Sequence, residues 1–100
     1  MKRKDLPVIF RKYPEGSIIA VFPTIPADIS GITITSYMHI GQHCQACPQG
    51  VIRTTKPTTP REYKELITEL HKIGYRNLKV YKRLLYKHLE EMRKTAKEYK

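Results

Sequence analysis

Tryptophan is absent from this chain, glycine occurs five times, cysteine twice, and nine acids face nineteen lysines and arginines. Each shortage excludes something. Without Trp, seven Tyr and two Phe must supply the large aromatic contacts. The glycines stand singly at turn positions, so no phosphate loop, dinucleotide fingerprint or serine elbow can be read. Cys44 and Cys47 lie too close in sequence to cross-link distant segments as a secreted disulfide framework does, which favours a reducing cytosol. Asp5, Pro7 and Arg11 interrupt the basic start before any signal-peptide core forms. No window approaches the ~20 apolar residues of a membrane span. The reading is one cytoplasmic domain over residues 1–100, with 1–6 as a basic tail, no membrane partner and an undefined oligomeric state.

What is present in excess is positive charge, +10 overall. Residues 1–60 carry seven basic and three acidic side chains, and residues 61–100 carry twelve and six. No acid occurs between Glu69 and Glu90, whereas Lys72, Arg76, Lys79, Lys82, Arg83 and Lys87 do. A stripe of that kind attracts phosphate backbones or an acidic protein. Tyr75, Tyr81 and Tyr86 interleave with it, and an exposed Lys79-Tyr81-Arg83 face would pair stacking with phosphate binding. The competing reading is charge kept for solubility, with Tyr75 and Tyr86 completing the core.

Pro7 to Tyr13 reads as a first strand with Val8, Phe10 and Lys12 on one face, and Tyr13-Pro14-Glu15-Gly16 as a type I turn. Ser17 to Phe22 is apolar throughout, the mark of a central strand covered on both faces. Pro23 to Gly31 is expected to be a loop at a functional rim. Its acid, Asp28, is either a cap for Ser30 or an orienter of a histidine. Ile32 to Ile40 alternates: Ile34, Ser36 and Met38 share one face, Thr35, Tyr37 and His39 the other. Gln42 to Cys47 is expected to lead through a turn at Pro48-Gln49-Gly50 into a fourth strand, Val51 to Lys56. Thr59, Pro60 and Glu62 predict a capped helix that ends at Gly74. A short strand then follows, with Leu78, Val80 and Leu84 inward and Lys79, Tyr81 and Arg83 outward, and a basic helix from about 84 to the end. One continuous helix through Leu78, Tyr81, Leu85 and Leu89 is the alternative. The expected class is α+β: an antiparallel sheet of four to five strands, one packed helix and a C-terminal helix.

Residues 36–47 concentrate the groups able to do chemistry: His39, His43, Cys44 and Cys47. Imidazole and thiolate suit zinc, but all four donors fall in one segment and no second Cys or His pair exists. A redox pair would need a helix N-terminus at the first sulfur, and none is expected there. Adjacent His43 and Cys44 point to opposite faces of a strand, against a nucleophile–base pair. The cysteines read as small thiols in a turn. His71 and His88 read as surface or boundary residues. No catalytic residue, metal or cofactor is assigned. A hydrolase-type or ligand-binding site of Asp28, Tyr37, His39, Gln42 and His43 stands as the alternative to the basic stripe, and hydrogen bonding of both histidines to loop backbone as the plain reading.

Phe22-Pro23, Ile25-Pro26-Ala27-Asp28, Tyr37-Met38-His39-Ile40-Gly41-Gln42-His43, Ile73-Gly74-Tyr75 and Leu78-Lys79-Val80 together resemble a family of short uncharacterised bacterial proteins, over about residues 7–83. The resemblance implies His39, Gln42 and His43, rather than the cysteines, as any functional centre. It also implies a strand at Leu78 to Arg83 with the terminal helix as an addition. It carries no activity. The favoured reading is a non-enzymatic accessory protein that meets nucleic acid or an acidic partner through Lys72, Arg76, Lys79, Tyr81, Lys82, Arg83 and Lys87.

Overall fold

Ile18-Ile19-Ala20-Val21-Phe22 has no polar face, and the layering of the molecule follows from that. In the computed structural model, which describes residues 5–27, 34–38, 42–46 and 48–98 (backbone alone at 42–46, 48, 49 and 98), this run lies in strand β2, Ile18–Pro26. Ile19 and Val21 are buried on one side of the sheet, Ala20 and Phe22 on the other. Each side needs its own cover.

β2 lies between β1 (Leu6–Lys12) and β3 (Ile34–Met38), antiparallel to both, and β3 pairs with an outer β4 (Gln42–Ala46). The other edge of β1 is shared. Its first half pairs in parallel with β6 (Leu78–Val80), and its end pairs antiparallel with β5 (Lys56–Pro57). The backbone groups of alternate residues show this edge: Leu6 N–H donates to Asn77 O (2.7 Å), while Val8 O accepts from Tyr81 N–H (2.8 Å) and Phe10 O from the Thr58 hydroxyl (2.8 Å). The antiparallel core of the sheet is therefore as expected, with one short parallel strand added. The first hairpin also forms as expected: Gly16 N–H donates to Tyr13 O (2.9 Å), and Gly16 takes φ +104°, where a side chain would be strained.

One face is covered by α2, Pro60–Lys72. Leu66 and Leu70 meet Val8, Phe10, Ala20, Phe22 and Tyr37, and Tyr63 stacks on Phe10 with centroids 4.3 Å apart. Glu62 accepts from the Thr59 N–H (3.0 Å), as a capping box requires. At the far end Tyr75 N–H donates to Leu70 O (3.0 Å) and Gly74 N–H to His71 O (3.2 Å), with Gly74 at φ +114°. This Schellman turn places Tyr75 against Phe22, 4.8 Å between centroids.

The opposite face is covered by α3, Tyr86–Glu98, with help from α1, Pro48–Thr54. Leu89, Met92 and Val51 pack on Ile9, Ile19, Val21 and Ile34. The terminal helix is thus a layer of the core, not an addition to it, because the apolar face of Ile19 and Val21 would otherwise meet water.

Three local expectations are corrected. Residues 51–54 are helical, not a strand: Pro48 opens the helix, and the Thr54 and Thr55 hydroxyls donate back to Gly50 O (2.8 Å) and Val51 O. The fourth strand is instead Gln42–Ala46. Strand β2 runs on through Pro23 to Pro26 where a loop is expected; a register shift between Phe22 and Pro26 takes up the missing donors of proline. β6 stops after three residues, so its alternation breaks. Val80 is 37% exposed, while Tyr81 and Leu84 pack on the α3 side.

Candidate nucleic-acid interface

The basic run winds around the sheet edge that carries β6. Lys72 closes α2 on one face and Arg76 lies in the connection, where Asn77 turns the chain with φ +59°. Lys79 is the middle residue of β6. Lys82 and Arg83 form the bend under the edge, and Lys87 stands in the first turn of α3 on the opposite face. All six cations are exposed, as a solvated binding rim requires.

Helix dipoles divide them. Lys72 sits at the negative C-terminal end of α2, where a cation is favourable for local reasons alone. Lys87 is at the positive end of α3, whose first turn holds no acid. Lys82, Arg83 and Lys87 therefore add to the helix field instead of offsetting it, and this end of the rim is where an anion gains most.

The aromatic partners are fewer than the sequence suggests. Tyr75 belongs to the core, and burial pushes its phenol above its ordinary pKa. Tyr81, expected to point outward, is half-buried and meets the ring of His88 edge-on, 4.7 Å between centroids. Its remaining contact with the rim is Lys79, whose Nζ lies 5.5 Å from the ring centroid. His88 is fully buried, not a surface residue, because α3 turns it toward the sheet beneath Tyr81. Only Tyr86, 67% exposed beside Lys87, remains a free stacking surface among these three tyrosines.

The second grouping falls largely outside the described side chains. Asp28, His39 and Cys47 lie outside them. Gln42 and His43 fall in β4 as the register partners of Met38 and Tyr37, and Cys44 as that of Ser36. Tyr37 is 1% exposed, and its hydroxyl donates to the Glu69 carboxylate of α2. It joins the sheet to its covering helix and is not at a loop rim.

Arg11 is the residue that the sequence reading passed over. It is 7% exposed, and it donates from Nε to the Thr55 hydroxyl (2.9 Å) and from Nη2 to Ile52 O (3.0 Å) and Thr55 O (2.7 Å). Those carbonyls lie at the C-terminal end of α1, which Arg11 caps from β1. Burial lowers its pKa, though a guanidinium remains charged at neutral pH. The available signal was a cation continuing the run Val8-Ile9-Phe10 inside a strand.

No protein-family model, curated protein or solved structure matches this chain. Among the described residues, no helix is long and apolar enough to cross a membrane.

Proposed function

We propose that the protein is a cytoplasmic nucleic-acid-binding accessory protein whose working surface is the rim from Lys72 to Lys87. The observation that carries this reading is that six cations are all exposed along residues 72–87, a run of sequence that contains no acid. Phosphate contacts supply most of the affinity in such a surface, and they read little sequence. With Tyr75 and Tyr81 packed inward, base stacking falls to Tyr86, so affinity for duplex and single strands should differ little.

Fluorescence anisotropy with labelled single-stranded and duplex oligonucleotides tests it, across roughly 50 to 200 mM salt. Replacing Lys79, Lys82 and Arg83 together by Ala should lower the slope of log affinity against log salt by about 2 to 3, one unit or slightly less per lost phosphate contact. An acidic polypeptide serves as the competitor. Polyglutamate binding as tightly as the oligonucleotides at equal salt would move the assignment to an acidic protein partner.

A further inference from the structure

Next to the rim is a pocket of about 440 Å³ lined by Arg11, Ile52, Arg53, Lys82, Arg83 and Leu84. Four of its six residues are cations and none is an acid. They come from β1, α1 and the bend before α3, so three separate parts of the chain deliver positive charge to one cavity. The size falls within the range of small-ligand sites.

Arg11 makes this more than a crowded surface. Its Nε and Nη2 are committed to the end of α1, but among the described residues Nη1 has no protein acceptor. The capping role therefore accounts for Nε and Nη2 and leaves the two N–H donors of Nη1 for a ligand, in a residue that lines the pocket. A cation so deeply buried carries a desolvation cost that carbonyl and hydroxyl acceptors offset only in part, and no described carboxylate pairs with it. A bound anion would supply the missing charge. The planar fork of arginine fits phosphate oxygens in pairs.

We infer that this pocket binds a phosphate monoester, held by Arg11 from within and by Arg53, Lys82 and Arg83 at its mouth. A monoester fits better than the diester of a polymer backbone. It carries close to two negative charges above its second pKa of about 6, and four cations match a dianion better than a single charge. The inference rests on the nucleic-acid reading only for the source of the group, which is either the phosphorylated end of a strand or a free mononucleotide.

Four probes separate these sources with the full chain: 5′-AMP, adenosine, and one short oligonucleotide with a 5′-phosphate or a 5′-hydroxyl. The test variant is Arg53→Ala, since Arg53 is exposed. Arg11→Lys is a second variant, with its circular dichroism compared to that of the parent; Lys94→Ala, on the exposed side of α3 and outside the rim, is the control. Isothermal titration should show 5′-AMP binding, adenosine not binding, and Arg53→Ala weakening 5′-AMP by about tenfold or more, as loss of a charge-assisted hydrogen bond does. Lys94→Ala should leave it unchanged. Affinity for 5′-AMP should also rise as pH goes from about 5 to 7, following the second ionisation of the phosphate. Preference for the phosphorylated oligonucleotide would assign the strand end as the source. Binding of 5′-AMP with no oligonucleotide affinity would keep the pocket and overturn the nucleic-acid reading. Oligonucleotide binding indifferent to the 5′-phosphate and to Arg53→Ala would overturn the pocket while leaving the rim. No response to 5′-AMP at all would overturn it as well.

Discussion

Tyr37 and Arg11 show how single polar groups are used inside this small fold. Tyr37 is buried in β3 and reaches Glu69 on α2, so a strand and its covering helix share one hydrogen bond to a carboxylate. Tyr37→Phe keeps the ring and removes that bond; urea unfolding should show a loss of about 1 to 2 kcal/mol, the range for a bond to a charged acceptor that water can partly replace. Oligonucleotide binding should be unchanged by it, whereas a role for Tyr37 in a polar site would require a change. Lys12 and Glu62 work at the opposite end of the same interface. The Glu62 carboxyl lies below its ordinary value, chiefly through the hydrogen bond from the Lys12 ammonium, next through the Thr59 N–H. A lowered carboxylate stabilises the fold above its ordinary value of 4.5 and loses that contribution as pH falls through its folded value. The gap in stability between the parent and Glu62→Gln should therefore be open at pH 7 and close in acid below about 4.5. A gap that persisted there would show that the Lys12 and Thr59 contacts do not act through the charge.

At the scale of elements, the decisive piece is α3. Met92 is 1% exposed against Ile9, Ile19 and Val21, and Ala96 is buried on the same stripe. Met92→Ala should cost about 2 to 5 kcal/mol in urea or thermal unfolding, the range for a large-to-small change in a core. A helix that was only an appendage would give under about 0.5 kcal/mol. The helices differ in how far their sequences reveal them. Thr59, Pro60, Glu62 and Gly74 are local signals, each satisfied within its own turn, and α2 is legible to the residue. α1 is not, because Val51-Ile52-Arg53-Thr54-Thr55 is β-branched and suits a strand by propensity. What makes it helical comes from elsewhere in the chain: Arg11 receives its last carbonyls, and Val51 has a place in the α3-side core. The same limit applies to Tyr81 and His88. Alternation places Tyr81 outward only while the strand lasts, and β6 ends one residue before it.

Across the whole molecule, helices cover both faces of the sheet, and the basic run crosses from one helical layer to the other past β6. The charge pattern was legible in sequence because it needs only counting, and the exposure of Lys72, Arg76, Lys79, Lys82, Arg83 and Lys87 agrees with it. The pocket around Arg11 was not, since burial of one cation and its meeting with Arg53 and Arg83 depend on three distant segments. The proposed function requires that the rim, and not net charge alone, binds nucleic acid. The most direct measurement compares the salt slope of oligonucleotide binding for two triple variants that lose the same charge: Lys79, Lys82 and Arg83 to Ala on the rim, and Arg93, Lys94 and Lys97 to Ala on the exposed side of α3. The slope should be lower by about 2 to 3 for the rim variant and nearly unchanged for the α3 variant. Equal reductions in both, or none in either, would contradict it.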